Sequence, residues 1–541
     1  MAKEKRQSFM MNVLTVVCSQ IVIKLLGLVY RVVITNVDGF GDIGTGYYNY
    51  GYQIYTLLLA ISSVGIPNAI AKLVSEKCAT DDFKGAYRIF RCAMVLFAII
   101  GGTLSVLLYV FAPWIATVLC SSPPVVYTLR ALSPAIFFVS VSSVIRGFFQ
   151  GMQNMKATST SQVIEQLIKC VSTILIVISI AGAPAEYMAA GATLSTTLST
   201  ALSLLYLCGF YKAHRKEIRE RLKNAPDIAK VSFFKIAKGI LYVSIPISLG
   251  SIVSSLNRVL DLMTVVRGVK IALSGVITNA DKLNEEAIRL SGMLSKGDII
   301  INLPLALNIA FSTVLVPTVA GALAVGDKKT AGEKVSFSLL VSVIIALPAT
   351  VGCMVLANQI FALIYPNASE GGTLFAISAI TIFFSAITQT NSGSLQGMGK
   401  VFVPATGLLL GGVVKLIVNL TLIPIPSINI YGAPIGSVLC QFIACAVTFT
   451  VLKKNLDFKL DMKKYFAKPL LASLLMGGCV FVISRFGEAV LGGKIATMLS
   501  IVVGVVVYVG AIFLLRVFDD DELKTLPMGT KLIKLSHMVV K

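Results

Sequence analysis

QGMQNMKATSTSQVIEQLIK (residues 150–169) and QGMGKVFVPATGLLLGGVVK (residues 396–415) open on the same tripeptide and close on a lysine at the same spacing. Both lysines, Lys169 and Lys415, lie within apolar stretches. A charge kept inside hydrocarbon costs at least ~2.5–3.5 kcal/mol on insertion scales, so an ionisable residue there is a functional candidate. The shared spacing points to a duplicated membrane protein that keeps such a charge in both halves.

Composition sets the same class. Of 541 residues, 56% are hydrophobic and 13% charged, against roughly 25% charged in soluble domains. The mean hydropathy is +0.84. These values predict an all-α polytopic membrane protein, since each crossing needs about 20 mainly apolar residues. The basic N-terminus, MAKEKRQSFMMN, runs directly into a segment long enough to span, with no cleavable signal peptide expected. The ten cysteines form no Cys-x-x-Cys pair and lie mostly in apolar segments, which favours small core hydrophobes over metal ligands or disulfides.

Apolar runs between polar breaks predict about fourteen transmembrane helices. Six lie near 9–35, 47–74, 85–112, 125–150, 158–181 and 186–211, forming an N-lobe over 1–211. A basic cytoplasmic linker follows at 212–234. The C-lobe, 235–455, holds six more near 235–266, 296–325, 332–357, 370–396, 402–424 and 431–453. The remainder, 456–541, supplies a final pair near 466–486 and 494–517 and a cytoplasmic tail.

Cations in the loops set orientation, because positively charged loops stay in the cytoplasm. With the N-terminus inside, inner loops carry clusters such as Lys77, Lys84 and Arg88, and Lys212 through Lys223. The opposite loops, including TNVDGFGDIGTG (35–46), SSPPVV (121–126) and AGAPAE (181–186), have no cation. The exception is 267–295, an extra segment of mixed charge that makes the halves unequal. Topology therefore accounts for most of the formal net charge of +21, without a nucleic-acid partner. The basic inner face should attract anionic membrane lipids. His214 reads as a solvated member of the linker.

The duplication extends past the tripeptide. Gly65 to Ala69 (GIPNA) closes helix 2 much as Leu315 to Val319 (LVPTV) closes helix 8. Each half has an even number of helices, so the second enters the membrane as the first does. Parallel repeats of this kind are related by an axis along the membrane normal, with a cavity expected between them.

The polar residues within these helices are the candidate site. Lys24 and Arg31 share a face of helix 1, seven residues apart. Glu165 and Lys169 stand at i,i+4 on helix 5, close enough to neutralise each other. Helix 7 carries Arg258 and Asp261, and helix 8 opens with Asp298. Lys415 has no acidic residue at i±3 or i±4. Arg146, near the inner end of helix 4, is placed to snorkel to the headgroups. The excess of cations suits an anionic substrate such as a pyrophosphate, with lysine as point charge and arginine as bidentate fork. No nucleophile–base set, phosphate-binding glycine loop or metal-ligand cluster is legible, so the chain reads as no enzyme and as needing no cofactor. Pro246 and Gly250 mark helix 7 as the element expected to hinge.

LLGLVYRVVITNVDG (25–39), YYNYGYQIYTLLLAISSVGIPNAIAKLVSE (47–76), INLPLALNIAFSTVLVP (301–317) and QGMGKVFVPATG (396–407) resemble the stage V sporulation protein B and YtgP-like branch of the MOP exporter superfamily. That branch is related to the MurJ lipid II flippases and the Wzx-type oligosaccharide flippases. The resemblance implies two pseudosymmetric six-helix lobes in a V plus two C-terminal helices. It also implies a flippase that moves an undecaprenyl-pyrophosphate-linked cell-wall precursor, lipid II or a related oligosaccharide, from inner to outer leaflet by alternating access. MurJ-like proteins carry a cation before the Leu-Gly of helix 1, matched here by Lys24. They also carry arginines midway along helix 2 and near the start of helix 8, where this chain has Leu57 to Ala60 and Ile299 beside Asp298.

The resemblance thus implies a lipid-linked saccharide as substrate, cell-wall synthesis proteins as partners and the plasma membrane as location, while the loop cations and the even helix count put both termini in the cytoplasm. Membrane potential or a Na+ or H+ gradient could bias such a cycle, and the sequence marks no ion site. Two rival readings remain open: a cation-coupled multidrug antiporter of the MATE group, and a non-transporting scaffold for wall or spore-cortex synthesis.

Overall fold

The structure, a computed structural model, describes residues 22–152, 154–226, 232–324, 326–456 and 461–519. By internal contacts the chain divides into two units, Met1–Gly292 and Met293–Lys541. The described residues are helical apart from short connections. Lipid offers the backbone no hydrogen-bond partners, and helices satisfy their own.

In the first unit, α1 covers 22–35, followed by α2 (Gly41–Leu59), a π-helical turn (Ala60–Val64), α3 (Ile66–Ala79) and α4 (Phe83–Trp114). Then come α5 (Val125–Gly151), α6 (Lys156–Ser179), α7 (Ala185–Ala213), the short α8 (Arg215–Asn224) and α9 (Phe233–Leu273). The unit boundary falls inside α10 (Ala280–Ala324). The second unit continues with α11 (Lys328–Val355), α12 (Ala357–Ile364), α13 (Gly372–Gly397), α14 (Phe402–Leu422), α15 (Gly432–Asn455), α16 (Lys468–Leu491) and α17 (Gly493–Leu514).

Among the described residues, twelve helices are long and apolar enough to cross a membrane, so the chain is a multi-pass membrane protein. Fourteen were expected. Of the other two, 9–35 extends into residues outside the described set, and 296–325 forms the second part of the 45-residue α10.

The duplication is written into the backbone. Asp82 and Asp327 each N-cap the helix after a short loop, accepting from the amides of Gly85 (2.8 Å) and Thr330 (2.9 Å). Each follows a left-handed residue, Asp81 (φ 54°) or Gly326 (φ 77°). Each also donates its own amide back five residues, to Lys77 (2.9 Å) or Ala322 (3.0 Å).

The Gln-Gly-Met tripeptides are helix ends. At the second, the Lys400 amide donates to Leu395 (2.8 Å) and Gly399 to Gln396 (2.9 Å), with Gly399 left-handed at φ 76°. This is a Schellman cap. At the first, Asn154 donates to Phe149 (2.9 Å) in the matching way.

Both tripeptide glycines sit at close crossings. A Cβ on Gly151 would lie 2.7 Å from Val74 Cβ, and one on Gly397 would lie 3.0 Å from Val319 Cβ. One turn earlier, Gly147 meets Pro67 and Gly393 meets Ser312. Pro67 therefore corresponds to Ser312. The expected match of Pro67 with Pro317 is off by more than a turn, because the two helix crossings share a packing register and not a proline position.

Three further expectations change. The unit boundary lies past the basic linker 212–234, because α9 packs on α2, α3 and α4. The 267–295 segment is mostly helix, prolonging α9 and opening α10; Ala287, Ile288 and Ser291 are buried on one helical face. His214 is half-buried and stacked on Phe210 at 4.3 Å between ring centroids, so it is a packing residue. The expected hinge residues Pro246 and Gly250 both lie within α9, which is continuous over its 41 residues.

Candidate functional site

The first unit gathers two cations on a platform of phenols. Tyr30 and Arg31 are neighbours on α1. Tyr48 and Tyr52 stand four apart on α2, the spacing that puts side chains on one face, and their rings stack at 5.6 Å and 13°. The hydroxyls of Tyr30 and Tyr48 lie 3.0 Å apart, and Arg31 Nε donates to the Tyr30 hydroxyl at 3.3 Å. From α6, Lys169 Nζ donates to the Tyr52 hydroxyl at 3.2 Å and lies 4.3 Å from that ring's centroid. The Arg31 guanidinium carbon lies 5.5 Å and 5.6 Å from the centroids of Tyr48 and Tyr52.

Neither cation forms an ion pair with a carboxylate among the described residues. Ring quadrupoles supply the compensation instead, each contact worth roughly 0.5–2 kcal/mol, the upper end when desolvated. Lys169 is only 5% exposed, so the upper part of that range applies. Phenols stabilise a cation without cancelling its charge. A guanidinium has five N–H donors and an ammonium three, and each cation places one on a tyrosine hydroxyl. The rest make no hydrogen bond among the described residues.

Glu165 does not neutralise Lys169. Its Oε2 is held by Arg146 Nη2 at 2.8 Å. Arg146 also donates from Nε to Ser161 Oγ (2.9 Å) and from Nη2 to Ser203 Oγ (3.0 Å), and Ser203 Oγ donates to the Ser161 carbonyl (3.1 Å). Arg146 is 6% exposed, so it ties α5, α6 and α7 together and does not snorkel. An i,i+4 spacing permits a contact, but a guanidinium fork arriving from another helix makes the stronger bond.

The other expected residues are placed as follows. Lys24 is exposed on α1, and Gly27, between it and Arg31, lies against the Gln166 amide of α6. Arg258 is exposed on α9 and donates to Ser255 Oγ at 2.9 Å, with Asp261 half-buried three residues on. Asp298 is exposed on α10. Lys415 is buried on α14, where it and Asn419 lie against Gly436 of α15: a Cβ there would come within 2.6 Å of Asn419 Oδ1 and 3.3 Å of Lys415 Cγ. Lys169 and Lys415 thus match in sequence but face different surroundings.

Sequence reasoning missed the tyrosines, although the run Tyr47 to Tyr55 contains the i,i+4 pair. It also missed Lys296, which is fully buried on α10, donates to the carbonyls of Ala368 and Glu370, and lies 5.3 Å from the rings of Phe361 and Tyr365. Those partners make it a structural pin for the α12–α13 connection. Among the described residues, no group of three or more His, Cys, Asp and Glu is placed to hold a metal.

The fold is similar to that of a solved lipid II flippase MurJ in an inward closed conformation, with a TM-score of 0.68 at 17% identity, covering 92% of this chain and 98% of that one. It is also similar to an inward-facing MATE transporter of the MOP superfamily, with a TM-score of 0.65 at 13% identity, covering 80% and 94%. In sequence, the stage V sporulation protein B of Bacillus subtilis (strain 168) is 25% identical across 98% of this chain and 99% of its own length. The lipid II flippase MurJ of the same organism is 23% identical over 85% of each. The family model described as "Polysaccharide biosynthesis protein" matches residues 9–323, and the chain belongs to that family.

Proposed function

We propose that this protein turns a polyprenyl-pyrophosphate-linked saccharide across the plasma membrane, from inner to outer leaflet, with lipid II or a close relative as cargo. The reading is carried by the Arg31–Lys169 pair, two cations held on tyrosines and left uncancelled by any carboxylate among the described residues. A pyrophosphate brings oxygens that accept from both, the guanidinium in a bidentate fork and the ammonium as a point charge. The named relatives, a stage V sporulation protein and lipid II flippases, support the same reading. Catalysis has no part in it: the site binds and releases.

Binding must be strong enough to draw the headgroup from water and weak enough to let it go. Phenols suit this, because a ring contact offsets part of the desolvation cost without competing as a carboxylate would. Lys24, Arg258 and Asp261 of the same unit join the proposed site, Asp298 and Lys415 are candidate cargo contacts within the second unit, and α9 supplies the bending. Membrane potential, worth about 2.3 kcal/mol per charge per 100 mV, or an ion gradient biases the cycle.

The test is outer-leaflet accessibility of lipid II in cells depleted of their other flippases. The expected outcome is that this protein restores accessibility and the Lys169→Met variant, expressed at the same level, does not. Protection against organic cations with no change in precursor accessibility would overturn the reading in favour of drug export. Wild-type levels of accessibility with Arg31 and Lys169 both charge-reversed would overturn the assignment of the site.

A further inference from the structure

The short helix α8 points to an interaction surface for anionic phospholipid headgroups. It begins at Arg215, two residues beyond the end of the spanning helix α7 at Ala213, so it lies at the membrane surface whichever side that is. The turn between them is stiff. The Ile218 amide donates to the His214 carbonyl at 3.0 Å, His214 Nδ1 lies 2.9 Å from the Phe210 carbonyl, and its ring stacks on Phe210.

The apolar face of α8 is already used. Ile218 is 3% exposed and, with Leu222, packs into the core cluster that holds Phe83, Phe90 and Phe149. The Arg221 guanidinium lies 5.9 Å from the Phe83 centroid and pairs with Glu217 at 2.9 Å. The helix therefore cannot insert its hydrophobic stripe into lipid, as a free amphipathic helix would. What it turns outward is charge: Lys212, Arg215, Lys216, Arg219 and Lys223 are all exposed, against Glu217 and Glu220.

We propose that this face docks on the headgroups of anionic phospholipids in the adjoining leaflet. Cations near an anionic membrane surface each gain from its negative potential, within a Debye length. A rigid turn and a packed apolar face hold these five at a fixed height beside the bilayer. A flexible basic loop would lose ordering entropy on binding, which this pre-set helix avoids. Phosphate is the shared chemistry, and the lipid is favoured over free phosphate because the helix emerges directly from a membrane-spanning segment.

The experiment uses the full-length protein purified in mild detergent with mixed phosphatidylglycerol and phosphatidylcholine, retained lipids being counted by native mass spectrometry. The expected result is enrichment of phosphatidylglycerol that falls at least about ten-fold when Arg215, Lys216, Arg219 and Lys223 are all changed to Gln. A control with Lys328, Lys329, Lys453 and Lys454 changed to Gln should keep the enrichment. Unchanged melting temperature in phosphatidylcholine alone verifies that the α8 variant is folded; if it is not, the graded pair Arg215→Gln and Lys216→Gln replaces it. Equal enrichment in wild type and α8 variant, equal loss in the control, or displacement of phosphatidylglycerol by millimolar inorganic phosphate would each overturn the proposal.

Discussion

Glu165 is bound by Arg146 of α5 at 2.8 Å, while Lys169, one turn along α6 from Glu165, is bound by the Tyr52 hydroxyl of α2 at 3.2 Å. Two charges that sequence spacing would pair are thus drawn apart by separate helices. One becomes part of the framework and the other stays a cation. Each consequence can be measured.

Glu165→Gln should destabilise the protein by about 1–3 kcal/mol, since it removes the ionic partner of a buried guanidinium. The side chain of Glu165 is 26% exposed, which keeps the effect below that of a fully buried pair. Thermal melting in detergent should show the drop, and adding Arg146→Gln should recover part of it. A double variant as costly as the sum of the two singles would mean that the pair is not coupled.

Lys169→Met should cut precursor flipping by at least about ten-fold, the effect of losing a charge-assisted contact of ~1.4 kcal/mol or more. Tyr52→Phe keeps the ring and loses only the hydroxyl, so it should cost less, on the order of 1 kcal/mol or under ten-fold. The lipid II accessibility assay ranks the two. The reverse order would show that hydrogen bonding, and not charge, carries the role of Lys169.

Gly151→Ala and Gly397→Ala should each lower the melting temperature, because their Cβ atoms would meet Val74 or Val319 at 3.0 Å or less. Overpacking of this kind costs about 1–3 kcal/mol. Gly250→Ala is the contrast: its Cβ would meet nothing within 4 Å. Stability should hold or rise there, and slowed flipping at unchanged stability would mark α9 as the bending element. Unchanged flipping would remove Gly250 from that role.

Asp82 gives the fold an acid limit. Burial opposes its ionisation, but the Lys77 ammonium at 2.9 Å, the Gly85 amide and nearby Arg88 more than offset this and hold the carboxyl below its ordinary value. On acidification the unfolded chain therefore takes up the proton first. The stabilisation is fully present above the ordinary carboxylate range and is lost as pH falls through the lowered folded value. Melting temperature followed downward from neutral pH should fall more steeply in the wild type than in Asp82→Asn. Parallel curves would show that Asp82 contributes nothing to the acid response.

The sequence by itself determined the membrane class, most helix positions, the duplication and the helix ends at both Gln-Gly-Met tripeptides. These follow from hydropathy and from residues near one another in the chain, and local backbone chemistry decides them: a left-handed glycine closes α13 whatever lies beyond it. The tertiary structure alone decided partners. Tyr52 and Lys169 are 117 residues apart, and Arg146 and Ser203 are 57 apart. Which side chain meets which depends on how whole helices cross, and the crossings are fixed by contacts such as Gly151 on Val74 and Gly397 on Val319. For that reason Lys169 and Lys415, alike in sequence, part company in space, one on a tyrosine platform and the other against Gly436.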